Sequence, residues 1–209
     1  MRSDGNEIVL LVEGKTEKAI KPVLKQFLDA RCVSEGKPKV RLSTKPLDSR
    51  LLKERIIRDH VRMNLKRSSV IGVVALIDVV CSGRDKQFKN ATDAVQFLLG
   101  AAPNETRFRA HAAQYDFEAW LMPYWDGIAA KLHQKKQSPG RDPEAINHGR
   151  PPSRHLKDLY RKAGLDYDKP RDALAILTGK DLLESAAKCT QFKAFLNSLL
   201  SLSGCAEIQ

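Results

Sequence analysis

The chain has 209 residues, 42% hydrophobic and 29% charged, with 36 Lys and Arg against 25 Asp and Glu and a formal charge of +11. That is the composition of a soluble globular domain with a sizeable core, and no apolar run approaches the length that crosses a bilayer. The basic excess implies a polyanionic partner, nucleic acid foremost; charge kept for solubility or for an acidic protein partner is the competing reading.

Cys32, Cys81, Cys189 and Cys205 are widely spaced, with no Cys-x-x-Cys pair. A zinc knuckle or ribbon is therefore not expected, and the thiols read as reduced. Met1 to Gly5 leads directly into an apolar run without the h-region of a signal peptide, so a cytoplasmic location is the expectation.

Ile8 to Val12 is an unbroken aliphatic run and predicts a strand buried on both faces, as in a parallel sheet. It ends at Glu13-Gly14, where glycine permits a tight turn. Thr16 is a fair N-cap, and Glu17 lies in the first turn of the helix that follows. Glu13 is thereby expected at the carboxyl end of a buried strand, where open α/β sheets keep their ligand crevice. Gly14-Lys15-Thr16 looks like the tail of a nucleotide-binding P-loop, but Val9 stands where that motif needs its first glycine. The plainer alternative is a strand–turn–helix corner whose acids are solvated or cap the helix.

Ala19, Ile20, Val23, Leu24, Phe27 and Leu28 predict an amphipathic helix over Glu17 to Ala30, with a short first turn or kink at Pro22. Lys39 to Lys45 alternates as a partly exposed strand. Asp48 or Ser49 is placed to cap a helix running to about Lys66, on which Arg50, Arg58, Arg62 and Lys66 recur at multiples of four. Such a stripe either tracks phosphates or is a solvated face.

Val70 to Val80 reads as a central buried strand with Asp78 at its carboxyl edge, so Glu13 and Asp78 are expected to face each other. Two such carboxylates repel unless a proton or cation lies between them, and Mg2+ suits a site of few hard oxygen ligands. Arg84 and Asp85 follow in a loop. Ala91 to Leu99 predicts a helix and Arg107 to Tyr115 a fourth strand. Asp116 then caps a helix through Phe117, Glu118, Trp120 and Leu121.

Gln134 to Pro152 reads as a long mobile loop made basic by His148, Arg150, Arg154 and His155, a candidate flap over a phosphate backbone. His133, His148 and His155 lack metal-ligand spacing. Ser153 caps a helix over His155 to Ala163; helices over Asp172 to Leu177 and Lys180 to Ala187 follow, then an amphipathic one carrying Phe192, Phe195, Leu196, Leu199 and Leu200. This half reads as a helical extension that covers the sheet or binds a partner.

Val12-Glu13-Gly14-Lys15-Thr16-Glu17, with the Val73 to Asp78 strand and Asp116-Phe117-Glu118-Ala119-Trp120-Leu121, resembles the Toprim domains of topoisomerases, DnaG-type primases and OLD-family nucleases. The wider pattern, with Pro152-Ser153 and Phe192 to Leu200 in its tail, resembles the DUF4276 group of Toprim-like proteins. The resemblance implies a Toprim-like three-layer α/β sandwich with a mainly parallel sheet over residues 1–125 and a loop and helical extension over 126–209. It implies a Mg- or Mn-dependent nuclease acting on DNA or RNA, an effector beside an AAA/ABC-type ATPase in prokaryotic phage defence. Glu13 would be general base or acid and Asp78 the principal metal ligand, supported by Glu17, Asp85 and Glu118, with Lys15 and the basic residues contacting phosphate. Toprim domains usually carry Asp-x-Asp at the third strand, and position 80 is Val80. The implied alternative is a non-catalytic module of the same fold that binds nucleic acid or the ATPase. A phosphotransfer enzyme is disfavoured by the absence of a glycine-rich phosphate loop.

Overall fold

A computed structural model describes residues 6–79, 88–145 and 150–209. Strand β1 (Glu7–Val12) is buried along its whole length. It pairs in parallel with β2 (Arg41–Pro46) on one side and β3 (Val70–Asp78) on the other, and β3 pairs in parallel with β4 (Phe108–Ala113). The sheet order is β2-β1-β3-β4, which places the apolar runs of β1 and β3 in the centre, as their continuous hydrophobicity requires.

Side chains alternate across this sheet. Ile8, Leu10, Val12, Val74 and Leu76 face one core, with α2 (Lys21–Ser34) and the C-terminal helices. Val9, Leu11, Val73, Ala75 and Ile77 face the other, with α3 (Glu54–Leu65) and α4 (Ala91–Ala101). The result is the expected three-layer sandwich. The remaining helices are α1 (Lys15–Ala19), α5 (Trp125–Lys131), α6 (Pro152–Lys162), α7 (Lys169–Leu177), α8 (Leu182–Ala186) and α9 (Thr190–Leu202). Phe192, Phe195, Leu196, Leu199 and Leu200 are all buried, so the last helix covers the sheet. Gly72 makes room for it: a Cβ there would lie 2.6 Å from the Leu202 methyls.

The local differences have physical causes. Pro22 falls within the first two positions of α2 and the chain breaks at Ile20, giving two helices where a kink was expected. Asp48 takes a left-handed conformation (φ 50°) and opens a 3-10 turn, and α3 starts after Lys53 without a side-chain cap. The N-cap position of α3 is Lys53, so Asp48 does not cap that helix, and the Ser49 side chain lies outside the described residues. Ser153 lies inside α6 behind Pro151 rather than capping it.

The described part of the loop expected to be mobile is held to the core. The Trp125 indole N–H donates to the Lys136 carbonyl at 2.7 Å. Glu144 accepts the Trp120 indole at 3.2 Å and the Gln191 backbone N–H at 3.0 Å. Glu144 thus caps α9 from outside the helix, satisfying a donor that the helix itself leaves orphaned.

Candidate active site

The parallel register brings three strand ends to one edge: Val12 stands beside Leu76, and Asp78 beside Ala113. Glu13 follows β1, Asp78 ends β3, and Asp116 and Glu118 follow β4. The Asp78 backbone N–H donates to Glu13 Oε2 at 3.2 Å, which seats the Glu13 carboxylate against the end of β3. Glu17, buried in α1, turns back so that its carboxylate accepts the Gly14 N–H at 3.1 Å. Tyr115, left-handed at φ 73° and buried, lies between β4 and Asp116. A bulky non-glycine residue in that region is strained, a feature that clusters at functional sites.

Glu118 is fully buried. It pairs with Lys169 Nζ at 3.0 Å and accepts the Tyr167 hydroxyl at 3.4 Å. It is no exposed first-turn acid. Asp116 does not cap its own 3-10 segment (Phe117–Tyr124); its carboxylate accepts the Ser153 N–H at 3.1 Å and so caps α6 across space.

Crowding sets the protonation of this cluster. Burial, with the charges of Glu13 and Glu118, pushes Glu17 up to about 7. Burial and Glu118 push Asp116 up to about 6. Asp78 is raised well above the usual carboxylate range by burial, then by Glu17, Asp116 and Glu118. Burial opposes the Lys169 ammonium, but Glu118, Asp78 and Asp116 outweigh it and hold its pKa above that of ordinary lysine. These are the effects of packing like charges into a low-dielectric notch.

Lys169 and Tyr167 are the members that the sequence pattern did not disclose, and Asp116 was legible there only as a helix cap. A signal for the first existed: Asp168 accepts the Arg171 N–H as a true N-cap, and Pro170 follows in the first turn. Cap plus proline starts the helix at Lys169, ahead of the Asp172 start that hydrophobic spacing suggested.

The chemistry of the donor set is that of a hard-cation site: carboxylate oxygens of Glu13, Asp78 and Glu118, mutually repelling. Among the described residues no three His, Cys, Asp or Glu side chains form a ready-made metal-holding group. Asp85 and Arg84 lie outside the described residues.

The basic candidates separate. Lys15 is exposed beside Glu13, and Arg154 is exposed in the first turn of α6, next to Ser153. Arg150 pairs with Asp158. Arg50 is exposed after β2, its Nε donating to the Leu47 carbonyl at 3.1 Å. Arg58 and Arg62, however, line a depression with residues 100–105, ahead of β4, and Lys66 caps the end of α3. That is the amino edge of the sheet, so this part of the stripe does not line the acids.

A family model described as a domain of unknown function, DUF4276, matches residues 12–200. No curated protein matches the chain. Among solved structures, the C-terminal region of the Burkholderia pseudomallei OLD protein is similar, with a TM-score of 0.51 and 14% identity over 94% of this chain and 97% of that one. At that identity the likeness speaks to fold, and with the sheet order above it makes this a Toprim-like sandwich with a helical C-terminal extension.

Proposed function

The chain belongs to the DUF4276 family, and we propose that it is a metal-dependent nuclease that hydrolyses phosphodiester bonds of DNA or RNA. In this reading it is the cytoplasmic effector of a prokaryotic phage-defence system and works beside an AAA/ABC-type ATPase. Residues 1–125 form the catalytic α/β unit, and residues 126–209 pack on it and contribute Lys169.

The observation that carries this reading is the convergence of Glu13, Asp78 and the Glu118–Lys169 pair at one edge of a parallel sheet. Glu13, Asp78 and Glu118 would hold Mg2+ or Mn2+, which when bound supplies Lewis-acid activation of water and of the phosphoryl group. Glu17, buried beside these acids, is the group placed to take and return a proton. Lys169 brings a positive charge to oppose the charge that develops on phosphoryl oxygens. Lys15 and Arg154, exposed at the rim, give the approaching backbone point contacts.

Purified protein incubated with supercoiled DNA, single-stranded DNA or RNA and Mg2+ or Mn2+ is expected to nick or cleave one of them. Glu13→Ala and Asp78→Ala should each abolish the cleavage. The second reading, a non-catalytic nucleic-acid or ATPase-binding module, is favoured by one observation: Glu118 is already neutralised by Lys169. It prevails if the wild-type protein binds nucleic acid yet leaves it intact with either ion and with its ATPase present.

A further inference from the structure

Away from the carboxylates, α5, α6 and α7 enclose a cavity of about 470 Å3. Its walls are apolar and aromatic, chiefly Tyr124, Ile128, Tyr160 and Ile176, all buried. Leu165 stands at its mouth 52% exposed, an apolar side chain that gains from a cover.

The charged groups of the cavity are divided. Arg171 directs its guanidinium to Asp172, with contacts of 2.9 Å to each carboxylate oxygen. That pair is neutral and closes one wall. Lys131 is exposed at the rim, and Lys180 stands 6.0 Å over the Tyr124 ring. Asp166 supplies a carboxylate at the same rim.

We propose that this cavity binds a nucleoside monophosphate. The flat base lies against the Tyr160 and isoleucine walls, the phosphate meets Lys131 and the Lys180 ammonium over Tyr124, and the ribose hydroxyls donate to Asp166. An apolar, planar body with a single anionic end and hydroxyls between uses each of these groups, and small-molecule sites pair apolar walls with a few placed polar groups in this way. None of the clustered acids lines the cavity, so the proposal stands apart from the nuclease reading.

The test is calorimetric titration of the full chain, free of divalent metal, with AMP, GMP, CMP and UMP. Adenosine, inorganic phosphate and a 5′-phosphorylated single-stranded oligonucleotide serve as comparison probes. At least one mononucleotide should bind, and adenosine and phosphate alone should bind at least about tenfold more weakly. The Lys131→Glu/Lys180→Glu double variant should weaken binding by roughly tenfold or more. Ala175→Trp, which fills the cavity from an exposed position on α7, should abolish binding while leaving the melting temperature unchanged. Binding of none of the four mononucleotides overturns the proposal, as does affinity that neither variant alters. Binding of the oligonucleotide in preference to every free mononucleotide also overturns it, and assigns the cavity to a strand end.

Discussion

Lys169 Nζ lies 3.0 Å from Glu118 Oε2, and through that contact the first turn of α7 is joined to the segment that follows β4. Glu118 is buried completely whereas the lysine side chain is 37% exposed, so the pair is asymmetric: removing the lysine strands a buried charge. Lys169→Ala should therefore lower unfolding free energy by about 3 kcal/mol, at the low end for a broken buried pair because the ammonium is partly solvated. Urea denaturation measures this. Adding Glu118→Gln to that variant should recover most of the loss, and strictly additive single effects would contradict the coupling.

Stability without metal should depend on pH in a defined sense. Glu17 near 7 and Asp116 near 6 both lie above the ordinary values of 4.5 and 3.8. The folded chain binds protons that the unfolded chain releases, so their contribution is fully present below about pH 4 and is lost as pH rises through 6 to 7. Glu7 is held low because its Ser43, Arg41 and Arg67 partners outweigh burial, and it acts in the opposite sense, in the acid range. Urea midpoints at pH 5 and pH 7.5 in EDTA, compared between wild type and Glu17→Gln, isolate the effect. The variant should gain on the wild type as pH rises; a constant difference would refute it.

Asp78→Asn should stabilise the metal-free protein at pH 7.5, on the order of 1 kcal/mol, since it removes a carboxylate held above its ordinary range by burial and by neighbouring acids. A melting curve records the gain. A loss of stability would mean that the strand-end acids are structural.

Glu144 accepts the Gln191 N–H at 3.0 and 3.1 Å and the Trp120 indole at 3.2 Å. Glu144→Ala should cost about 1–2 kcal/mol, the range for losing a helix cap, and leave nucleic-acid binding intact. Urea unfolding and a binding assay on the same preparation check both halves.

The central strands were legible because β1 and β3 are buried on both faces and their continuous aliphatic runs stop at acids. Local pattern therefore sufficed to set Glu13 and Asp78 at the carboxyl ends of two paired parallel strands. It could not reveal Lys169, which reaches the cluster through tertiary docking of α7 against the segment carrying Glu118. Asp116 has the spacing of a helix cap, yet its carboxylate serves a different helix through Ser153, a partnership that exists only in three dimensions. The basic stripe was legible as a stripe, but its direction was not: Arg62 and Lys66 run toward the start of β3, away from Asp78, because α3 must return the chain to the amino edge of a parallel sheet.

Titration of Mn2+ into the purified protein, followed by the electron paramagnetic resonance of the free ion, most directly tests whether the strand-end acids are a metal centre. Wild type should remove Mn2+ from solution at pH 7.5, Glu13→Gln and Asp78→Asn should each weaken that uptake by roughly tenfold or more, and Lys169→Met should strengthen it by removing a competing ammonium. Uptake that is absent in wild type, or unchanged by both acid substitutions, would contradict the account.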